Sequence, residues 1–330
     1  MPLAAKSYFD SRFVANFRLS PFNFFLLTYP LMPVLVVGSV ALDHIKTPTA
    51  EHRQLLGGSA SYASVAASFF GDVRLVGVVG DDFPPQHTEL FAKRKIDLTG
   101  LEVAPGKTFC WSGEYELNMN NRKTLSVELN VFETFQPKLP EAYRETPYVL
   151  LGNIAPSLQR SVCAQIRKPK FVVADTMDLW ISIARPDLVS LLKEVDMLIL
   201  NDSEAKQLTE EDNLIRAGKK IVAMGPRYVA VKKGEHGCLL FGRDGEFFST
   251  GAYPLETIHD PTGAGDCFAG GFIGHLARTD DTSFANLKEA VIQGTLVASY
   301  CCEEFSLRRL EILAEAEIAE RRKAFGSYIA

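Results

Sequence analysis

Asp266 follows three small residues, Gly263, Ala264 and Gly265, in the string His259-Asp260-Pro261-Thr262-Gly263-Ala264-Gly265-Asp266-Cys267-Phe268-Ala269-Gly270-Gly271. From there to Arg278 the chain has the length and apolar content of a buried helix, so the glycines should form its N-terminal turn. The first amides of a helix have no partner inside it, they point outward with the positive end of the dipole, and missing side chains let a phosphate come close. Such a turn stabilises negative charge on a transferring phosphoryl group. A carboxylate held in the same turn can accept the proton of an attacking hydroxyl. The chemistry expected here is phosphoryl transfer to an alcohol, with Asp266 as general base and Gly263, Ala264 and Gly265 as anion hole. Taken alone, G-x-G-D also fits a glycine-rich cap in which Asp266 merely balances the helix dipole.

The whole string is more specific. Asp260 to Asp266, followed by Ala269-Gly270-Gly271, closely resembles the C-terminal signature of the ribokinase-like, or PfkB, family of small-molecule kinases. The resemblance implies that Asp266 is the catalytic base, that the preceding amides bind the anion, that ATP is the donor and that Mg2+ accompanies it. It leaves open a monovalent cation near Asp260. Further matches extend it from about Val34 to the C-terminal helix.

These residues must be positioned by a larger frame. The run 34–37 is apolar and β-branched and ends in Gly38-Ser39, which suits a central parallel strand buried on both faces. Asp43 falls just past its end, on the ligand side, and the resemblance gives it the acceptor's hydroxyls. After a polar stretch, 44–56, Gly57-Gly58-Ser59-Ala60 opens a helix running to Phe70. This matches the family's N-terminal Gly-Gly signature, so Gly57, Gly58 and Ser59 are expected at the acceptor. Ser59 and Tyr62 stand where ribokinases carry Lys and Asn, so ribose is not implied. A second strand spans 73–79, before a Gly80-Asp81-Asp82 turn that also resembles the family.

Between 107 and 131 the pattern alternates around an Asn-rich turn and reads as a β-hairpin. By the resemblance, 44–56 and 107–131 form a small β lid over the acceptor, and a homodimer could form through it. Phe109 and Trp111 are either its packed face or a stacking surface for a sugar or base. Beyond the lid, strands are expected at 148–151, 171–174, 196–200, 220–223 and 228–232, alternating with helices. The fold is thus α/β, a doubly wound, mostly parallel sheet with a small β lid. Asn153 and the Asp175-Thr176 pair lie at strand ends facing the crevice, Asn153 as a further acceptor contact.

Asn201-Asp-Ser-Glu204 starts a helix after the 196–200 strand. Its order matches the family's N-x-x-E motif, which implies that Asn201 and Glu204 organise Mg2+ and its waters about the phosphates. The turn from Lys232 to Gly237 resembles the family's nucleotide-binding turn, giving Lys233, Gly234 and Gly237 to the nucleotide. Gly294 would leave room for the adenine.

Composition bounds the rest. The 330 residues carry 35 Lys and Arg against 40 Asp and Glu, and this acidic balance with no basic run argues against nucleic acid. Six scattered cysteines without a C-x-x-C pair read as reduced thiols of a cytoplasmic protein, and the six histidines show no metal-ligand spacing. The apolar run 22–32 contains Asn23 and Pro30, lacks a small-x-small cleavage site and is too short to span a bilayer, so no membrane partner is expected. Residues 1–31 are expected to be a poorly ordered extension, and 32–330 the kinase domain. The strings G-x-x-x-x-G-K-[ST] and G-x-S-x-G do not occur, which excludes a P-loop kinase and an α/β-type hydrolase. A dinucleotide fingerprint is also missing. A non-catalytic binding protein would keep the fold but lose Asp266 or its glycines, and both are present. The expected acceptor is a sugar or a nucleoside, with sugar preferred because a second ring for a base sandwich cannot be placed. No arginine cluster lines the acceptor segments, which argues against a phosphorylated acceptor.

Overall fold

The computed structural model describes residues 31–119 and 122–328. The expected extension, Leu31 apart, lies outside them, as do the last two residues of the Asn-rich turn. Two sheets form. The larger has nine strands: β1 (Val34–Val37), β4 (Val73–Gly80), β5 (Asp97–Ala104), β8 (Tyr148–Leu151), β9 (Phe171–Asp175), β10 (Met197–Asn201), β11 (Tyr228–Lys232), β12 (Cys238–Gly242) and β13 (Phe247–Thr250). Their spatial order is β13-β12-β11-β10-β9-β8-β1-β4-β5, parallel from β5 to β11 and antiparallel at β12 and β13.

The strand β1 shows why the sheet is covered on both faces. All four of its residues are buried; Val34 and Val36 join one hydrophobic core and Leu35 and Val37 the other. Side chains alternate across a strand, so an unbroken apolar run serves two layers of helices. The strand order also reverses here, since β4 and β5 lie on one side of β1 and β8 to β11 on the other. Ligands of doubly wound sheets bind at such a switch point, beyond the carboxyl ends of the strands.

The smaller sheet is the lid, in the order β3-β2-β6-β7: β2 (Ala41–Lys46), β3 (Glu51–Gly57), β6 (Phe109–Tyr115) and β7 (Arg122–Glu128). Ile45, Leu55 and Tyr115 of its inner face pack on Phe305. The lid starts earlier than expected, so Asp43 is not in a loop after β1 but inside β2, paired with Leu55 and Trp111.

Three other sequence expectations need correction. Residues 220–223 are not a strand but part of the Leu214–Met224 helix, in which Ala217, Gly218, Ile221 and Val222 are buried. That spacing is helical, and the adjacent Ile221 and Val222 imitate a strand only over a short window. The outer strands β5 and β13 were not expected, because half-exposed edge strands such as β5 contain charged residues and no continuous apolar run. The helix after Gly58 is shorter than expected and spans Ser59–Ala67. No helix among the described residues is long and apolar enough to cross a membrane.

Candidate active site

The Ala264–Thr279 helix begins at Gly263, whose φ of 77° is left-handed, and a Cβ there would stand 2.3 Å from the ring of Tyr62. Glycine is therefore required twice over, by conformation and by space. The Cys267 amide is the first to close an α-turn, donating to Gly263 O at 2.8 Å, while the Ala264 amide donates to Pro261 O at 3.2 Å. Of the expected anion-hole amides, that of Ala264 is thus already engaged, and those of Gly265 and Asp266 open the helix.

Asp266 is half-buried in this first turn. Burial and the nearby Asp175 carboxylate push its pKa up to about 7, against the pull of Lys232 and Arg122. From sequence, Asp175 was expected at a strand end facing the crevice but without a role, and Lys232 only as the start of the nucleotide turn. Asp175 ends β9, is 6% exposed, and accepts the Thr176 amide at 3.0 Å. Lys232 ends β11, with its Nζ 3.7 Å from Asp175 Oδ1. Sequence reasoning took the next residue, Lys233. The usable signal was position, since the last residue of a parallel strand faces the crevice.

Asn201 and Glu204 lie beside this cluster in a reciprocal cap. The Asn201 side chain accepts the Glu204 amide at 2.8 Å and Glu204 Oε2 accepts the Asn201 amide at 2.7 Å. Burial raises the Glu204 pKa to about 7, opposed by Lys232 and reinforced by Asp175. Both residues therefore have a structural task as a capping box. No three His, Cys, Asp or Glu side chains among the described residues are grouped to hold a metal unaided. A Mg2+ ion carried by phosphates and waters needs fewer protein ligands, and the Oε1 of Glu204 has no hydrogen-bond partner among the described residues, so the site fits that kind of ion.

On the acceptor side, Asp43 is 4% exposed and its Oδ1 is buried with no partner among the described residues. Its pKa is raised by burial, then by Asp260 and Asp266, with Arg122 pulling the other way. Its carboxyl group lies where a side chain on Gly57 would be, 2.0 Å from that missing Cβ, and Gly58, at φ 89°, has Ser39 O 2.5 Å from its own. Asp260 is fully buried, with Oδ1 accepting the Thr262 amide at 2.9 Å and Oδ2 the Ser306 amide at 3.1 Å. Ser306 Oγ in turn donates to Leu56 O, so one chain of bonds joins the two glycine turns.

Several expected residues are occupied otherwise. Ser59 is buried and exchanges hydrogen bonds with Ser39, its amide to Ser39 Oγ at 3.0 Å and the Ser39 amide to its Oγ at 3.2 Å, so it fastens the turn to β1 instead of offering a free hydroxyl. The Asn153 amide is held by Trp180 Nε1 at 2.8 Å and by Met177 Sδ at 3.1 Å. Gly294 does not open space for a base, because a Cβ there would meet Phe268 O at 2.5 Å; it lets the Phe284–Cys301 helix approach the Asp266 helix. Phe109 stacks on Phe132 at 5.3 Å, and Trp111 lies on Gly113 with Arg122 5.8 Å from its ring centroid, so each ring is half-buried against a neighbour. Lys233, Gly234 and Gly237 form the tight turn between β11 and β12, closed by the Lys233 amide on Gly237 O at 2.7 Å.

The chain is similar to known proteins in the same terms. A cytidine kinase of Thermococcus kodakarensis is 28% identical over 255 residues, which span 75% of this chain and 90% of that one. Fructokinase-2 of Oryza sativa is 32% identical over 133 residues, 38% of each chain. The solved structure of a Methanocaldococcus jannaschii nucleoside kinase, an archaeal member of the ribokinase family, superposes with a TM-score of 0.72 at 17% identity, covering 89% of this chain and 99% of that one, and so shares the fold. The pfkB family carbohydrate kinase model matches residues 34–312, and the chain therefore belongs to that family of sugar and nucleoside kinases, phosphotransferases with an alcohol group as acceptor.

Proposed function

We propose that this protein is an ATP-dependent kinase that transfers the γ-phosphoryl group to a hydroxyl of a nucleoside or a free sugar, with Asp266 as general base. The observation that carries this reading is a carboxylate in the opening turn of a glycine-led helix, its pKa raised to about 7. A base works best with a pKa near the operating pH.

In the proposed step Asp266 takes the hydroxyl proton as the acceptor oxygen bonds to the γ-phosphorus. The bond from that phosphorus to the bridging oxygen breaks, and ADP leaves with the electron pair. The Gly265 and Asp266 amides face the charge that develops on the phosphoryl oxygens. Asp43, whose buried Oδ1 has no partner among the described residues, is suited to a pair of acceptor hydroxyls, which would relieve the cost of burying it alone. Glu204 and Asn201 would hold Mg2+ through its waters, and Mg2+ supplies positive charge that neutralises the phosphates. Lys233, Gly234 and Gly237 would border the nucleotide. The engaged oxygens of Asp260 give no reason to require a monovalent cation.

A nucleoside is the first acceptor to test, because the cytidine kinase matches most of both chains. A free sugar is the second reading, favoured by the contacts of Phe109 with Phe132 and of Trp111 with Gly113, which already occupy part of each ring. The test is acceptor-dependent ADP release across a panel of nucleosides, hexoses, pentoses and polyols. Turnover of cytidine or another nucleoside with no free sugar supports the first reading, and the converse the second. No turnover of any member would contradict the proposal.

A further inference from the structure

Lys232 is not explained by the β-sheet that carries it. A lysine at the end of an inner parallel strand ordinarily extends its ammonium group to water, yet here the side chain is only 19% exposed. Three carboxylates surround it: Asp175 at 3.7 Å, with Glu204 and Asp266 close enough to hold the ammonium charged although burial alone would lower its pKa. The Nζ also lies against the first turn of the Asp266 helix, 2.8 Å from where a Cβ on Gly265 would be. Gly265 has no positive φ to require glycine. A Cβ there would meet only this ammonium and its Cε, so the glycine leaves the ammonium room against the turn.

We propose that Lys232 is a catalytic residue that contacts the terminal phosphoryl group of the donor, and that Gly265 lets its ammonium lie against the helix N-terminus, where a side chain would push it aside. The inference rests on the kinase reading above. A surplus of carboxylate over ammonium at an anion-binding turn would repel phosphate, and Lys232 is the buried cation that offsets it. Asp175 is then a positioning residue, holding Nζ beside the turn until a phosphate arrives. A lysine acts here as a point charge, suited to a phosphoryl group whose charge is spread over three oxygens.

The test compares binding of ADP with that of the non-hydrolysable β,γ-imido analogue of ATP by calorimetry, in wild type, Lys232→Met, Gly265→Ala and the double variant. Lys232→Met should weaken the ATP analogue at least about tenfold more than ADP, and lower turnover by roughly 10²–10³, the loss expected for one transition-state contact. Gly265→Ala should lose the same preference for the ATP analogue, and the double variant little more than either single change, because both remove one contact. Equal weakening of both nucleotides by Lys232→Met, or additive losses in the double variant, would overturn the proposal. If Lys232→Met does not fold, Gly265→Ala decides alone, and an unchanged preference counts against it. A wild-type protein that binds neither nucleotide would instead remove the kinase reading on which the inference rests.

Discussion

The two glycine turns at the centre of this protein share one backbone device and differ in the charge that faces it. Each starts a helix from a glycine in the left-handed region, Gly58 at φ 89° and Gly263 at φ 77°, and neither position has room for a side chain. At the first turn the helix end is plugged by the Ser39 and Ser59 exchange, and the group pressed against it is a carboxyl, Asp43. At the second turn the group against Gly265 is an ammonium, Lys232, with Asp266 in the helix itself. A helix N-terminus favours anions wherever it is open. In the proposed function this contrast divides the labour: the backbone supplies two anchoring points, and the side chains would assign a polyhydroxylated acceptor to one and phosphate to the other.

The strongest way to break this division is Asp266→Asn. It should lower kcat by roughly 10²–10⁴ while leaving the nucleotide dissociation constant nearly unchanged, because the amide cannot take a proton but keeps the turn's geometry. Near-normal kcat would show that the second turn binds phosphate without housing the base.

Next in size is Asp43→Asn, which should raise the acceptor KM by roughly tenfold or more, as expected when one charge-assisted hydrogen-bond site is lost, with little change in the KM for ATP. It should also stabilise the fold. A carboxyl whose pKa is raised in the folded state favours folding at low pH and loses that advantage as pH rises through the raised value. The variant should therefore melt higher than wild type at pH 7, by an amount on the order of 1 kcal/mol, and no higher near the unfolded carboxyl value of 3.8. A lower melting temperature at pH 7 would mean that Asp43 has a partner inside the protein.

The glycines themselves sharpen the comparison. Gly58→Ala and Gly263→Ala should each destabilise by about 1–3 kcal/mol from left-handed strain, measured by denaturant titration. Their kinetic signatures should separate, Gly58→Ala acting mainly on acceptor KM and Gly263→Ala mainly on kcat. The same signature from both would argue that the turns are not divided in role.

Near neutral pH the smallest expected effect is that of pH itself. With its pKa raised to about 7, Asp266 must be deprotonated to act, so kcat/KM should fall about tenfold per unit below that value and change only about twofold from pH 7 to 8. A profile flat down to pH 5 would place the rate-limiting ionisation elsewhere.

Much of this was legible in the sequence, for definite physical reasons. Inner strands such as β1 declare themselves because both faces must be apolar, and the two glycine turns because left-handed backbone and close approach exclude other residues. The edge strands β5 and β13 were hidden because half their side chains meet solvent. Lys232 was hidden for a different reason. Its neighbours Asp175 and Glu204 come from β9 and from the helix after β10, and only the parallel register that sets β9, β10 and β11 side by side brings their ends together. Likewise the second tasks of Ser59, Asn153 and Gly294 depend on partners distant in the chain, Ser39, Trp180 and Phe268. Residue type and local spacing contain no trace of them.

The division of labour between the two turns is tested most directly by a crystal structure with a non-hydrolysable ATP analogue, Mg2+ and an acceptor identified from the panel. The account predicts the terminal phosphate on the Gly265 and Asp266 amides, one acceptor hydroxyl within about 3 Å of the Asp266 carboxylate, and further acceptor hydroxyls on Asp43. A terminal phosphate seated at Gly57-Gly58, or an acceptor with no hydroxyl near Asp266, would contradict it.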